Sequence, residues 1–424
     1  MPRRKSQRPC HSAPPCTDGS WLGSASDRMQ RVLHITRDFP PRHCGGISTA
    51  VGALARAQVA AGLGVGVVSF DGWRPRAADV ADRSAGVEMR DGATVLRVAH
   101  TAQLDAARHF AHVQRPSLLH VHHGMLWEFA AALRSQLGVA AVKTVHVVQR
   151  RINQLRGTRE RTQSLAGQEA ALAGADRVIV PSRAAAAALL DQADSLPGGV
   201  DRPDSAAALA ARMRVVGHGI ADSDPARAAA ARHRAMPAAG PLLAAGRFAD
   251  VKGTPELFEV MRAVLARVPT TLFVVAGGIP ANRRAEARWR QRWCEAASAS
   301  EQRRVRWTGW LEPDALAACY AEVAALIVPS RHETFGLVAL EAMLHGLPVV
   351  ATAAGGLAEL IVHGETGLLS ATGDTAALAE HAVALIGDPA LARRLSENAA
   401  AAARDTHSWQ QVLPRLLEVY AEVC

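Results

Sequence analysis

Lysine is almost absent from this chain of 424 residues, in which Lys5, Lys143 and Lys252 are the only lysines. The other members of its 48 basic residues are arginines, and alanine is abundant throughout. This bias is typical of a GC-rich coding sequence, so the formal net charge of +9 is weak support for nucleic acid or an acidic membrane as partner. A nucleic-acid-binding protein would also need arginines clustered on one face beside aromatic side chains, whereas these arginines are spread along the chain.

Aromatic residues, cysteines and long apolar runs are scarce as well. Aromatic side chains form 4% of the chain, which excludes a dense stacking surface. The six cysteines show neither a CxxC pair nor the Cys/His spacing of a metal site, which predicts free thiols in a cytoplasmic protein and no metal centre. Because no run of about 18 apolar residues is present, we expect no transmembrane helix.

The first 28 residues are polar and rich in proline, serine and arginine. They lack the apolar stretch of a signal peptide, so we expect a disordered leader over residues 1–28. A predicted strand follows Met29 almost directly, which makes Met29 an alternative translation start.

Short β-rich runs alternate with longer helical stretches from residue 31 onwards, which predicts an α/β fold with parallel sheets covered on both faces. A stretch rich in glycine, proline and aspartate interrupts the pattern, and PLLAAGR at 241–247 starts a second series. We therefore predict two doubly wound, Rossmann-like domains with a cleft between them, where ligands sit beyond the carboxyl ends of the strands. The predicted segments after the leader are an N-terminal domain over 29–220, a linker over 221–240, a C-terminal domain over 241–405 and a final helix over 406–424.

The most informative stretch is PSRHETFGLVALEAMLHGLPVVATAAGG at 329–356. A helix is predicted to start near Phe335, where Gly336 lets backbone amides approach a phosphate that the helix dipole also favours. Because carboxylates repel phosphate, Glu333 and Glu341 are expected to face uncharged hydroxyls, such as those of a sugar or ribose. Solvated helix charges are the alternative, but Glu341 lies in the otherwise apolar LVALEAML, where a buried carboxylate needs a partner.

A second constellation is AAGRFADVKGTPELFEVM at 244–261. Arg247 and Lys252 share the loop that follows a predicted strand. Two cations at the carboxyl end of a strand form a clamp that neutralises a diphosphate, including one that leaves during a reaction. A surface charge is the ordinary alternative, but a chain with three lysines has placed one of them here.

A glycine pair follows the first predicted strand. Gly45 and Gly46 precede a helix, so their amides could contact a phosphate or a sugar, and a tight turn that needs positive φ is the alternative. The stretch is not GxGxxG, which argues against a nicotinamide-binding site.

Four histidines fall on two predicted strands. His120 and His122 share one face of a strand, whereas His123 points to the other face. No cysteine or carboxylate is adjacent to complete a metal site. His146 ends another predicted strand and could reach the cleft, with a structural role as the alternative.

Together these motifs resemble the retaining glycosyltransferases of the GT-B fold, in the large group that includes glycogen synthases and bacterial mannosyltransferases. The resemblance covers residues 31–424 and is strongest at HETFGLVALEAMLHGLPVVAT, whose Glu333 and Glu341 match the Glu-x7-Glu element of the family. GRFADVKG matches the family's arginine and lysine at a strand end, and SWQQVLPRLLEVY matches its last helix, which crosses back onto the first domain. VVGHGI resembles the exit from the first domain, with His218 where asparagine is usual.

The resemblance implies a role for each candidate residue. Arg247 and Lys252 would bind the donor diphosphate and stabilise it as it leaves, and His146 would lie near the transferred sugar. Glu333 would bind sugar hydroxyls, and Glu341 would bind the ribose. The other expected donor contacts are Gly45, Gly46, Thr334, the backbone amides of Phe335, Gly336 and Leu337, and Gly309 and Trp310 beside the base.

The resemblance also implies sugar transfer with retention of configuration, without a divalent metal and with the nucleotide sugar as co-substrate instead of a cofactor. No side chain is an evident nucleophile, which favours front-face attack. A UDP-sugar is the favoured donor because it is the commonest, and the expected acceptor is a hydroxyl of a small molecule or glycan, such as an aminocyclitol antibiotic of a high-GC bacterium. A GDP-mannose-dependent mannosyltransferase of the cell envelope and a GT-B epimerase are alternatives. A pyridoxal phosphorylase would need a cofactor lysine, and neither Lys143 nor Lys252 has a suitable context.

The acceptor side is the least recognisable part of the chain. The loop around Trp73–Arg76, the WEF at 127–129 and the arginine-rich stretch at 150–161 are candidate acceptor elements. The arginines could meet an anionic acceptor or a lipid surface, and a solvated helix face is the alternative. Nothing in the sequence indicates the oligomeric state.

Overall fold

The computed structural model describes residues 30–42, 45–71, 86–99, 103–157, 162–194, 205–220, 240–278 and 283–424. The predicted leader, the Trp73–Arg76 loop and nearly all of the predicted linker lie outside these residues. Within the described part, the chain forms two α/β units, each built on a parallel sheet.

The first unit contains an eight-stranded sheet with the order β3-β4-β2-β1-β5-β6-β7-β8, in which neighbours pair in parallel except for β3 and β4. Its strands are β1 Arg31–Thr36, β2 Gly64–Ser69, β3 Gly86–Arg90, β4 Ala93–Arg97, β5 Leu118–Val121, β6 Ala140–Thr144, β7 Arg177–Val180 and β8 Met213–Val215. Its helices are α1 Gly46–Ala60, α2 Leu104–Gln114, α3 Trp127–Leu137, α4 Gln149–Leu155, α5 Gln163–Gly174, α6 Arg183–Asp194 and α7 Ala206–Arg212. Apolar strands such as β5 are buried along their whole length, because helices cover both faces of the sheet.

The second unit contains a six-stranded parallel sheet with the order β11-β10-β9-β12-β13-β14. Its strands are β9 Leu242–Gly246, β10 Phe273–Gly277, β11 Val305–Gly309, β12 Ala325–Val328, β13 Val349–Thr352 and β14 Leu368–Ser370. The helices of this part are α8 Thr254–Arg267, α9 Arg283–Ala296, α10 Ala299–Arg303, α11 Pro313–Glu322, α12 Leu337–Leu344, α13 Leu357–Leu360, α14 Thr375–Gly387, α15 Pro389–His407 and α16 Trp409–Ala421. Among the described residues, no helix combines the length and the apolar character needed to cross a membrane.

The predicted fold class is confirmed, because two parallel sheets alternate with helices as expected. The run RVLHIT predicts a strand over residues 31–36, which is the extent of β1, whereas the short strands β3, β8 and β14 were not predicted. Helix α12 starts at Leu337 rather than near Phe335, because Gly336 precedes it as a cap with φ of 108°, outside the helical region.

The order of each sheet creates a crevice for ligands. Strand β1 lies between β2 and β5, and β9 lies between β10 and β12, so the direction of strand addition reverses at β1 and at β9. Ligands of open α/β sheets bind at such switch points, beyond the carboxyl ends of the strands. The loops after β9 and β12 therefore line the crevice of the second unit.

The final helix, α16, packs on the first unit although it follows the second unit in sequence. Val412, Leu416 and Tyr420 of α16 share a buried hydrophobic cluster with Val32 of β1 and Val67 of β2. The helix continues through Pro414. Its buried face ties the end of the chain to the first sheet.

Candidate functional site

The two predicted cations lie at the carboxyl end of β9. Arg247 follows the strand directly and is exposed, whereas Lys252 ends a short 3₁₀ turn over Asp250–Lys252. Lys252 Nζ lies 2.5 Å from Glu333 Oε2, and the two side chains are 29% and 13% exposed. The structure therefore brings Lys252, predicted to bind the diphosphate, into contact with Glu333, predicted to bind the sugar.

Gly253 holds the 3₁₀ turn against the end of β12. Its φ is 68°, and a Cβ at this position would lie 1.8 Å from the carbonyl oxygen of Pro329. Only a residue without a side chain allows this approach. The next loop is tied down as well, because Arg331 Nε donates to Glu256 Oε1 at 2.5 Å.

The loop between β12 and α12 presents backbone groups to the crevice. Thr334 and Phe335 are buried, and the carbonyl oxygen of Glu333 accepts a hydrogen bond from Gly356 N at 2.8 Å. Gly336 then caps α12, which begins at Leu337. Because the first amides of a helix have no partner within it, those that follow Gly336 can bind an anion.

Glu341 is half-buried on α12 and has one tyrosine as partner. Tyr320 Oη donates to Glu341 Oε2 at 3.2 Å. Burial raises the pKa of Glu341 to about 7, although the hydrogen bond from Tyr320 acts in the opposite direction. Sequence reasoning missed Tyr320.

The predicted glycine pair belongs to the first unit but lies against side chains of the second unit. A Cβ at Gly45 would lie 3.8 Å from Arg247 Nε, and one at Gly46 would lie 3.2 Å from Leu337 Cδ1. Gly45 has φ of 138°, which a side chain disfavours. Both glycines thus contact residues predicted to bind the donor.

His146 lies two residues beyond the end of β6, whereas the prediction placed it at the end of a strand. Its ring stacks on His218 with centroids 5.2 Å apart, and His218 meets the edge of Phe335 at 5.1 Å. Burial lowers the pKa of His218 to about 4 and that of His146 well below its usual value, so both rings are neutral at pH 7. His218 therefore connects His146 to the donor loop. The one sequence signal for this contact was that histidine stands at position 218, where the family usually has asparagine.

Gly309 and Trp310 lie at the end of β11, on the same edge of the sheet as Arg247. Gly309 has φ of 70°, and a Cβ there would lie 3.4 Å from Glu286 Oε1. Trp310 Nε1 is buried and has no hydrogen-bond partner within the described residues. Glu286, which sequence reasoning missed, therefore adds a carboxylate beside the predicted base-binding loop.

The predicted acceptor elements differ in where they lie. Trp127 belongs to the hydrophobic core of the first unit and the partly buried Phe129 packs against it, whereas Glu128 between them is exposed, so the WEF stretch as an acceptor element stays a prediction. Helix α4 packs against the 3₁₀ turn that carries Lys252. On α4, Arg150 pairs with Glu169 at 2.7 Å, and Arg151 is exposed.

Among the described residues, three buried histidines lie close enough together to hold a metal ion if distance alone is considered. The ring nitrogens of His34, His120 and His122 lie within 4.8 Å of one another. Each ring already makes two hydrogen bonds to protein groups, which a metal would have to displace.

Family models match both units of the chain. Residues 240–388 match the model described as glycosyl transferases group 1, and residues 44–201 match the model of glycosyltransferase family 4. The chain is 27% identical over 420 residues to a glycogen synthase of Mycobacterium tuberculosis, which covers 92% of this chain and 94% of that protein. It is 31% identical over 312 residues to a D-inositol 3-phosphate glycosyltransferase of Salinispora arenicola, which covers 72% of this chain and 68% of that protein.

Solved structures agree on the fold. A sucrose-phosphate synthase from Thermosynechococcus elongatus aligns with a TM-score of 0.71 at 24% identity, over 93% of this chain and 98% of that one. The Anabaena protein HepE in complex with UDP-glucose aligns with a TM-score of 0.69 at 18% identity, over 93% of this chain and the whole of that one. With the family models and the relatives, these likenesses place the chain among the group 1 glycosyltransferases, which have the GT-B fold.

Proposed function

We propose that the chain transfers a sugar, with retention of configuration, from a nucleoside diphosphate sugar to a hydroxyl of a polyhydroxylated small molecule or glycan in the cytoplasm. The observation that carries the proposal is the contact between Lys252 and Glu333 at the switch point of the second sheet, beside the exposed Arg247. A cation for the diphosphate and a carboxylate for the sugar thus adjoin each other at one crevice.

In this reaction, the acceptor oxygen forms a bond to the anomeric carbon while the bond from that carbon to the phosphate oxygen breaks. Arg247, Lys252 and the amides at the start of α12 neutralise the leaving diphosphate, which is the task that a divalent cation performs in other transferases. Attack from the same face as the leaving group retains the configuration. The leaving phosphate oxygen takes the proton of the acceptor hydroxyl, so no protein base is needed.

The names of similar proteins support the substrate classes. Neighbouring structures hold UDP-glucose, or ADP with acarbose, and a UDP-sugar is the donor that we favour. Several relatives are D-inositol 3-phosphate glycosyltransferases, which supports a cyclitol acceptor such as an aminocyclitol.

Binding and turnover test the proposal separately. A thermal-shift panel of nucleoside diphosphates and then nucleotide sugars should show stabilisation, with the largest shift for the UDP series. Release of nucleoside diphosphate should depend on an acceptor, whereas an epimerase would convert the sugar without one. No shift with any nucleotide would contradict the proposal.

Substitution of Lys252 tests the diphosphate clamp. We expect Lys252→Ala to lower kcat/KM at least a hundredfold, because one charge that stabilises a leaving group is worth about 3 kcal/mol. Arg262→Ala is the matched control, since it removes a half-exposed cation that pairs with Glu301 outside the site. Chelation by EDTA should leave the rate of the unaltered enzyme unchanged. Near-normal turnover of the Lys252 variant would contradict the assignment.

A further inference from the structure

A continuous series of hydrogen bonds runs from His146 into the first sheet. His146 Nε2 lies 3.0 Å from His122 Nδ1, and His122 Nε2 lies 2.9 Å from His34 Nδ1. His34 Nε2 lies 2.6 Å from the amide oxygen of Gln58 on α1. We call His146, His122, His34 and Gln58 the histidine series.

Gln58 also starts a second branch, which passes through the final helix. Its amide nitrogen donates to Tyr420 Oη at 3.1 Å. Tyr420 Oη lies 2.5 Å from His120 Nδ1, and His120 Nε2 lies 2.6 Å from Thr144 Oγ1. Gln58 is therefore the junction of both branches, with its amide nitrogen facing Tyr420 on α16 and its amide oxygen facing His34.

The orientation of this amide sets the direction of the histidine series. Burial lowers the pKa of His34 to about 4 and that of His122 well below its usual value, so each ring is neutral and donates from one nitrogen only. Because the Gln58 oxygen accepts, His34 carries its hydrogen on Nε2 and accepts at Nδ1. His122 must then donate from Nε2 and accept at Nδ1, and His146 must donate from Nε2.

This direction leaves Nδ1 of His146 without a hydrogen. No protein group among the described residues hydrogen-bonds to that nitrogen. The opposite orientation of the Gln58 amide would reverse every bond and would turn the same nitrogen into a donor. The tautomer of His146 thus depends on the orientation of the Gln58 amide on α1.

We propose that Gln58, held by Tyr420, is a positioning residue that fixes His146 as the Nε2–H tautomer, so that its bare Nδ1 accepts a hydrogen bond from a hydroxyl of the transferred sugar. The part about the sugar rests on the proposed function. The tautomer itself follows from the orientation of the Gln58 amide in this series and involves no substrate. Tyr420 does not contact the site, but the final helix affects the chemistry there through the hydrogen bond between Tyr420 and Gln58.

A metal bound by the same histidines is less consistent with these contacts. All six ring nitrogens of His34, His120 and His122 already take part in the two branches. The Lys143 amine also donates to the carbonyl oxygen of His122 at 2.9 Å, which places a basic group beside the cluster. A cation would have to break these bonds next to that amine.

Nitrogen-15 spectra of histidine-labelled protein can measure the tautomer directly, with His146→Asn to assign the signal. We expect an Nε2–H signal for His146 in the unaltered protein. Gln58→Met keeps the length of the side chain but removes the acceptor for His34, so the His146 signal should move towards the Nδ1–H form. With the proposed substrates, kcat/KM should fall about tenfold, as expected for the loss of one buried hydrogen bond.

Two further variants separate positioning from folding. Tyr420→Phe retains the ring in the core but frees the Gln58 amide to rotate, so it should give a mixture of His146 tautomers. Ser205→Ala is the control, because it removes one buried cap of α7 outside the series and should change neither the tautomer nor kcat/KM.

An Nδ1–H signal in the unaltered protein would overturn the proposal, as would a His146 signal that does not respond to Gln58→Met. The spectra need no substrate, so they decide the tautomer even if every nucleotide sugar fails as a donor. If the tautomer responds but kcat/KM does not, the link to the sugar is wrong.

Discussion

Rare residue types lie at the candidate site or connect to it through hydrogen bonds. Lys252, one of three lysines, contacts Glu333, and the chain has only two tyrosines. Tyr320 donates to Glu341, and Tyr420 contacts Gln58 and His120. Tyrosine is as scarce as lysine in this chain, so its scarcity indicates Tyr320 and Tyr420 just as that of lysine indicates Lys252.

The raised pKa of Glu341 leads us to expect that nucleotide binding depends on pH. Its pKa of about 7 in the free protein is raised above the ordinary value of a carboxyl group, and ribose hydroxyls donate stronger hydrogen bonds to the ionised form. Binding should therefore lower this pKa and release protons near pH 7. Affinity should rise as the pH increases towards about 7 and then level off, because above that pH the free carboxyl group is already ionised.

Calorimetry of UDP binding in two buffers with different ionisation enthalpies measures this proton release. Glu341→Gln should abolish it, while Glu380→Gln, which alters an exposed carboxylate on α14, should leave it intact. Equal release in the Glu341 variant would show that another group titrates.

At the scale of elements, periodicity was enough to predict the long buried strands but not the edges of the sheets. Strands β8 and β14 have three residues each, too few to show a pattern. Strand β3 pairs only with β4 and leaves Val87 and Met89 exposed, so it lacks the apolar signature of a buried strand.

The contacts of the site also fall into those that local sequence predicts and those that it does not. Within the 329–356 stretch, the predicted site residues from Glu333 to Glu341 lie in one loop and one helix, so their proximity could be predicted from spacing. The contact between Gln58 and Tyr420 joins positions 362 residues apart, and no local pattern encodes it. It depends on where α16 packs, which only the tertiary structure specifies.

The junction of the 3₁₀ turn with β12 should be intolerant of any side chain. Gly253→Ala places a Cβ 1.8 Å from Pro329 O, so the backbone must move, whereas Gly373 has a similar positive φ with nothing within 4 Å. Both alanine variants lose about 1 kcal/mol because of φ, and we expect at least about 2 kcal/mol more for Gly253→Ala.

Urea denaturation measures both free energies of unfolding. Because the turn also carries Lys252, the Gly253 variant should lose activity at temperatures where it remains folded. Equal stability losses for the two variants would show that the turn can move away from β12.

At the scale of the whole molecule, the two units are joined beside the donor loop. The amides of Arg183 and Ala184, which start α6 in the first unit, donate to the Glu359 carboxylate of the second unit at 3.0 and 2.6 Å. Ser182 Oγ donates to the carbonyl oxygen of Thr334 at 2.7 Å. A carboxylate at a helix N-terminus is favoured by the free amides and by the helix dipole, so these contacts stabilise the closed cleft.

Removal of the Glu359 carboxylate should therefore weaken closure without weakening either unit. An N-terminal cap is worth about 0.5–2 kcal/mol, so Glu359→Ala should raise the KM for the donor about 2- to 30-fold while kcat at saturation stays nearly constant. Reduced closure lowers the population that binds the donor tightly, and saturating donor restores it. X-ray scattering should show a larger radius of gyration for the variant without nucleotide and convergence with the unaltered protein when UDP is added. Glu380→Ala, which removes an exposed carboxylate elsewhere in the second unit, should change neither quantity. A constant KM and a constant radius of gyration in Glu359→Ala would mean that the cap on α6 does not control the cleft.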